Sequence, residues 1–507
     1  MGVHDYNVYN IIKRNARNIS EQTALISGNQ RINYREFLKK VDQLACGLLG
    51  VGVRKGDRIG ILADNSLEFF YLYGATAKIG TIILPINWRL NPEEIKYIIS
   101  DGAPKALFVA SEFQDIVGSL ISDIGFLEKI YVIGKTKEGF TDFNSLLEND
   151  GACPKVDVRS DDDYVIIHTA AVKGRPRGAV LTHQNIILFN LQQMYYWHLT
   201  KDDIHITLLP LYHVAGLGIA LSVMQAGGVN IILPKFEVDL ALKHIQEDKV
   251  TILGDFPPIL KTLLDRAEET NCNLSSLRIV AGLDHTDTVR RLETMTRATF
   301  WIGYGQSETS GPFSHAPYFE RLGSAGTPSF LAEVEIVDDY GNILGIENTG
   351  EIVVRGMIVF KGYWNLEKDN EYTFRDGWHH TGDVGYLDKN GYLWYKGRTP
   401  IKELIKSGGE NVYPAEVEKV LLQHPCIEEA TVIGIPDSQW GEAIKAVCVL
   451  KKGESLTEAE VIEFVAGRIA RFKKPKYVMF VSNLPKTEDG LINREKVKID
   501  YSGTCSV

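Results

Sequence analysis

The chain predicts an α/β protein: a large N-terminal region of two doubly wound sheets with a small β subdomain, followed by a smaller α+β C-terminal domain. Three observations predict this. At 507 residues the chain exceeds a single core, which stops growing near ~250–300 residues. Helix-period and strand-like segments alternate from about residue 34 to 135, and again from Tyr164 to about Phe300; such alternation builds parallel sheets covered on both faces. After Gly311 the texture changes to short alternating strands broken by Asp-Asp-Tyr-Gly and Lys-Asn-Gly turns, and beyond Gly397-Arg398 a compact α+β pattern resumes.

The elements follow in order. Tyr34 to Val51 places Phe37, Val41, Leu44, Ala45 and Leu48 at helical spacing and stops at Gly50 and Gly52, a helix with its terminator. Asp57–Leu62 reads as a short buried strand, Leu67–Ile79 as a helix and Thr81–Ile86 as the next strand. Later, Glu333–Val337, Gly350–Val354 and Gly391–Tyr395 alternate in the manner of half-buried strands. The β subdomain is placed at about 312–398, and the main boundary near 397–403 gives domains of 1–398 and 399–507.

Composition narrows the function. Hydrophobic residues make up 44% and charged residues 24%, the range of ordinary globular proteins. A net charge of −10 argues against nucleic acid, which calls for a basic footprint. Cys46, Cys153, Cys272, Cys426, Cys448 and Cys505 form no CxxC pair and read as reduced thiols. The N-terminus lacks a basic segment followed by an apolar one, and no apolar run reaches the ~20 residues that span a bilayer. A soluble, cytoplasmic protein is expected.

Several segments carry chemistry. Thr169-Ala170-Ala171-Val172-Lys173-Gly174-Arg175-Pro176-Arg177-Gly178 follows a strand-like run and precedes a helix opening near Leu181-Thr182-His183; strand, glycine turn and helix N-terminus together make an anion site. Tyr304-Gly305-Gln306-Ser307-Glu308 follows Thr299-Phe300-Trp301-Ile302, at the strand end where open sheets bind ligands. Asp383, in Trp378-His379-His380-Thr381-Gly382-Asp383, can accept two hydroxyls at once, which suits a ribose diol. Ser407-Gly408-Gly409-Glu410-Asn411 has two glycines that let backbone pass close to a thin ligand.

In this order, these segments resemble the nucleotide-handling signatures of the adenylate-forming superfamily, which includes acyl-CoA synthetases, luciferases and peptide-synthetase adenylation domains. The resemblance spans about residues 10 to 500. It implies that Tyr304 stacks on adenine, Gly305 allows close backbone approach, Ser307 bonds the α-phosphate and Glu308 holds Mg²⁺. It also implies ribose contacts from Asp383 and Arg398, and a place near the reacting carboxylate for His213. Gly408, Gly409 and Glu410 match the C-terminal loop of CoA ligases, where pantetheine passes, and Arg468, Arg471, Lys473, Lys474 and Lys476 could meet CoA phosphates.

Two departures stand out. The family phosphate loop is Thr-Ser-Gly-Thr-Thr-Gly-x-Pro-Lys-Gly; this chain keeps Thr169, Gly174, Pro176 and Gly178, places Arg177 for the lysine, adds Lys173 and carries Arg175 at the variable position. Point charge is expected to replace lost hydroxyl donors in holding pyrophosphate, since charge-assisted bonds are about twice as strong. The family's catalytic lysine falls on Leu491, with Lys486 and Lys496 as displaced candidates; the hinge residue falls on Lys402 or Pro400.

The resemblance implies an AMP-forming acyl-CoA ligase that takes ATP, Mg²⁺, coenzyme A and a small carboxylic acid, with a mobile C-terminal domain and adenylation weakened or the reaction run in reverse. Two alternatives stay open: a nucleotide- or acyl-CoA-binding homologue impaired in catalysis, and a carrier-protein-loading adenylating enzyme. A homodimer is left open. The acid pocket is expected to include Tyr212, His213, Phe256 and Trp301.

Overall fold

The computed structural model describes residues 2–127, 129–172, 175–399, 404–487 and 492–503. The first sheet has eight strands, in the order Gly362–Tyr363, Arg175–Thr182, Asp163–Val172, Ile82–Pro85, Arg58–Leu62, Ala106–Ala110, Lys129–Ile133 and Thr141–Asp142. Its pairs from Asp163–Val172 to Thr141–Asp142 are parallel. The second sheet has nine strands; its parallel centre runs through Thr299–Gln306, Ile279–Gly282, Ile252–Asp255, Ile204–Ile206, Val229–Ile231 and Thr23–Ser27. The helix–strand alternation is thus realised twice, and the helices Tyr34–Gly50 and Leu67–Ile79 begin where their spacing predicts.

The helix Leu67–Ile79 is buried nearly all round, as expected of a segment hydrophobic on every face. Gly74 lets it close on its neighbours: a Cβ there would lie 2.5 Å from Val41 and 2.9 Å from Ile12. Tyr73 donates to the carbonyl of Leu211 at 3.0 Å, and Asn65 brackets the same segment by bonding Leu209 O (3.2 Å) and Leu211 N (2.8 Å). These bonds tie the two sheets together just ahead of His213.

The β subdomain is a four-stranded antiparallel sheet of Ala332–Val337, Gly350–Gly356, His379–Leu387 and Leu393–Arg398. The strand Gly311–Pro317, just after the change of texture, still belongs to the second sheet, where it pairs with Thr299–Gln306, and the subdomain sheet starts later, at Ala332. In the C-terminal part, Glu410–Val412, Ile405–Ser407, Gly441–Leu450 and Ile427–Asp437 form a sheet joined by Tyr477–Phe480, with a core of its own around Val412, Val432 and Ala446. No helix among the described residues is long and apolar enough to cross a membrane.

Candidate active site

A cleft of about 1730 Å³ lies where the second sheet, the β subdomain and the C-terminal hairpin meet. On its subdomain wall, the strand His379–Leu387 sets Asp383 opposite Arg398. One oxygen of Asp383, Oδ2, accepts from both Tyr304 Oη (2.5 Å) and Gln306 Nε2 (2.7 Å). Gln306 also donates to Thr381 O at 3.0 Å. Burial, with the Asp383 charge adding to it, holds the Tyr304 phenol well above its ordinary value, so the tyrosine donates. Arg398 reaches across to the carbonyl of Leu404.

A second cluster forms around Glu308, in the turn Ser307–Thr309 that ends the strand Thr299–Gln306. Tyr363 donates to Glu308 Oε1 at 2.8 Å, and the Arg177 guanidinium lies 3.9 Å from the Tyr363 ring centre and 3.2 Å from Asp369. Burial works against the charge on Arg177, but Tyr363, Glu308 and Asp369 outweigh it and raise its pKa. Its Nε is buried with no hydrogen-bond partner among the described residues. A buried cationic donor lining a cleft fits a phosphate oxygen.

The phosphate-loop geometry differs from the sequence expectation. Asp163–Val172 and Arg175–Thr182 form an antiparallel hairpin, so the helix His183–Trp197 starts well past the loop. Its N-terminus is closed by Thr182 and Asn185, each bonding the other's backbone N–H at 3.2 and 2.9 Å. The β-branched run favours strand over turn, and the capping box uses the donors an anion would need. Thr169 lines the cleft and bonds Arg177 O at 3.3 Å. Gly178 serves packing: a Cβ would meet Ile166 at 2.6 Å. Gly305 lines the cleft and also admits the neighbouring strand, since a Cβ would lie 2.1 Å from Gly311 O. Ser307 lines the cleft. Lys173, Gly174, Pro400, Lys402 and Leu491 lie outside the described residues.

The third cluster joins the two domains. Gly408 and Gly409, at φ +57° and +83°, turn a hairpin into the cleft; a Cβ at 409 would press on Phe256 at 3.3 Å. This delivers Glu410, 5% exposed, to Asn87 Nδ2 (3.2 Å), Arg89 Nη1 (3.0 Å) and His213 Nε2 (3.3 Å). Burial alone would raise the Glu410 carboxyl; His213 and Arg89 more than offset it and hold it at about 2. His213 precedes the helix Val214–Ala226 without capping it, which leaves the ring for Glu410. Nearby, Lys473 is buried and ion-paired with both Glu94 and Glu416.

Lys473 is therefore not open to CoA phosphates. Its neighbours stay at the surface: Arg468 lies over Phe464 at 3.6 Å, Arg471 faces Glu463 at 4.0 Å, Lys476 pairs with Asp437, and Lys474 is half-buried. Tyr212, His213, Phe256 and Trp301, expected for the acid pocket, all line the cleft. Sequence reasoning missed Asn87, Arg89 and Tyr363. No spacing marks Asn87 and Arg89, whose shared partner Glu410 lies more than 300 positions away.

A family model described as AMP-binding enzyme matches residues 12–364, and AMP-binding enzyme C-terminal domain matches 416–491. The chain belongs to the AMP-binding enzyme family. The indoleacetate–CoA ligase of Aromatoleum aromaticum is 33% identical over 489 residues, 94% of each chain. A feruloyl-CoA synthase of Amycolatopsis is 32% identical over 491 residues, 96% of this chain and 97% of that one. Among solved structures, a double mutant of o-succinylbenzoate CoA synthetase from Bacillus subtilis, bound with a product analogue, matches with TM-score 0.85 and 28% identity over 97% of this chain and 98% of that one. The AMP-binding enzyme described here is of the acid–thiol ligase class, an AMP-forming acyl-CoA ligase.

Proposed function

We propose that the enzyme activates an aromatic carboxylic acid and passes it to CoA, with residues 1–398 holding the adenylate and residues 399–507 supplying the thiol-facing wall. A carboxylate oxygen of the acid displaces pyrophosphate from the α-phosphorus of ATP, giving an acyl-adenylate. The CoA sulfur, its proton released, then attacks the acyl carbon and displaces AMP. The observation that carries this reading is the glycine hairpin at Gly408-Gly409, which brings Glu410 against His213 at the mouth of an aromatic pocket.

Asp383 receives the ribose hydroxyls, with Tyr304 and Gln306 fixing its orientation. Arg177 and Thr169 hold phosphate oxygens. Ser307 faces the α-phosphate, and Arg398 braces the ribose side. Glu308, with one oxygen on Tyr363, would hold Mg²⁺. That ion would neutralise charge on the phosphates. No group of three or more metal-ligating side chains gathers among the described residues, which suits an ion that keeps its waters and phosphate oxygens.

The acid is read as aromatic for two reasons: Phe189, Trp197, Phe256 and Trp301 line the cleft, and the full-length relatives above act on indoleacetate and ferulate. Free thiols at Cys46, Cys153, Cys272, Cys426 and Cys448 support a reducing, cytoplasmic setting. A panel of aromatic and fatty acids with ATP, Mg²⁺ and CoA tests the reading. AMP release that needs both acid and CoA is expected; none with any acid overturns it. Pyrophosphate exchange on the same panel measures how far the Leu491 position weakens adenylation.

A further inference from the structure

Three side chains of the helix His183–Trp197 recur every four residues, Phe189, Gln193 and Trp197, and all line the cleft. Residues at this spacing share a face. Gln193 is 1% exposed, yet neither its amide oxygen nor its nitrogen has a hydrogen-bond partner among the described residues. Trp197 is 5% exposed, and its indole N–H is likewise unpaired. Trp301, on the strand Thr299–Gln306, presents a third buried and unpaired N–H from the side of the second sheet. Trp197 and Trp301 share one apolar cluster with Leu209, Ile219, Ala281 and Phe256.

Buried polar groups in native proteins are nearly always paired. The preceding residue, Gln192, is paired on its nitrogen side: Nε2 donates to Pro312 O and to His315 Nε2, each at 2.8 Å, while its Oε1 has no partner among the described residues; Gln193 lacks a partner at both ends. An amide nitrogen can only donate, so that imidazole nitrogen accepts. Burial pushes His315 down to about 3, which leaves it neutral. Arg89 and Lys235, cations of the same cleft, carry their charges on Glu410 and Asp64 at 3.0 Å each. A second carboxylate in the pocket would meet no matching charge from these groups.

We propose that the acid is an aromatic one whose end remote from the carboxyl carries an uncharged hydrogen-bonding group, a hydroxyl or a carbonyl, read by Gln193 and the indole N–H groups of Trp197 and Trp301. This rests on the ligase reading of the cleft. The two indoles only donate, so the substituent must accept; the amide does both, so a phenol is satisfied on either side. A plain alkyl or phenyl tail would leave these groups buried against carbon. Sites built to bond a hydroxyl reject the analogue that lacks it.

The test uses the full chain and matched acids: cinnamate against its 3- and 4-hydroxy derivatives, with octanoate as the alkyl control. Binding is read by tryptophan fluorescence and calorimetry, and turnover by AMP release with ATP, Mg²⁺ and CoA. At least one hydroxylated acid is expected to beat cinnamate by about tenfold or more in Kd and kcat/KM. Gln193→Leu should shrink that ratio below about threefold by weakening the hydroxylated acid most, and Trp301→Phe should shrink it partway. A wild-type ratio near one, or a preference for octanoate, overturns the proposal even if the enzyme proves a competent ligase. An unchanged ratio in folded Gln193→Leu does the same; if that variant fails to fold, the wild-type ratio and Trp301→Phe decide. Hydroxyl-selective binding without AMP release supports the pocket and defeats the ligase reading.

Discussion

The nucleotide wall and the interdomain wall of the cleft are built on opposite plans. Tyr304, Gln306, Thr381 and Asp383 come from the second sheet and the β subdomain and lock one another by short hydrogen bonds. Glu410 meets Arg89 and His213, and Lys473, already paired with Glu416 of its own domain, meets Glu94, across the contact between the N-terminal region and the C-terminal domain. The first wall is preorganised and does not depend on domain position. The second is a set of polar contacts between residues of the two domains, and it depends on how they are placed against each other.

That contrast can be broken most forcefully at Lys473. Lys473→Met leaves two half-buried carboxylates facing each other, and breaking the pair in this way costs up to about 3 kcal/mol. Scattering should then show the domains separating and thioester formation should collapse, whereas replacing Glu94 and Glu416 by leucine as well should restore much of the docking. Next comes Asp383→Ala, which removes the acceptor of two bonds and strands the Tyr304 hydroxyl. AMP affinity should drop about 100-fold by calorimetry, with no change in scattering.

Acid provides a probe of the N-terminal region as a whole. Burial pushes His183 to about 3, His205 to about 4 and His315 to about 3, below the ~6.5 of an unfolded histidine. As pH falls below ~6.5 the unfolded chain takes up protons that the folded one refuses, so stability falls with pH. Between pH 7 and 5 the loss is about 2 kcal/mol per histidine, measurable by denaturant titration. The smallest effect is expected at Glu410→Gln, which keeps the shape and removes the charge: thioester formation should slow about tenfold, and pyrophosphate exchange by less.

Regular elements were largely legible in the sequence, because period and terminators agree. The helix Leu67–Ile79 has the expected bounds and the strand Arg58–Leu62 differs by a single residue. The hairpin through residues 163–182 was not, since Val172 and Arg175 pair with each other and no turn dipeptide of the usual hairpin kind announces it. At the site, Tyr304, Glu308 and Asp383 could be named because they sit in compact motifs. Arg89 could not, because it draws its meaning from a partner in the other domain, and Lys473 was named for CoA phosphates and not for its pairs with Glu94 and Glu416. Gln193 escaped for a different reason: on a helix an amide reads as surface until the surrounding walls are known.

The strand Thr23–Ser27 has a bearing on how the chain is made. Leu25 pairs with Asn230, so this early segment leaves the ribosome long before the neighbour it is meant for. Until then it must be kept from pairing elsewhere, a task to which the antiparallel partner Gln30–Asn33 is well suited. Trimming through Ser27 would therefore open the sheet that carries Trp301 and Tyr304, whereas trimming only the helix Val8–Asn18 would be felt in the first core, where Ile12 packs against Gly74.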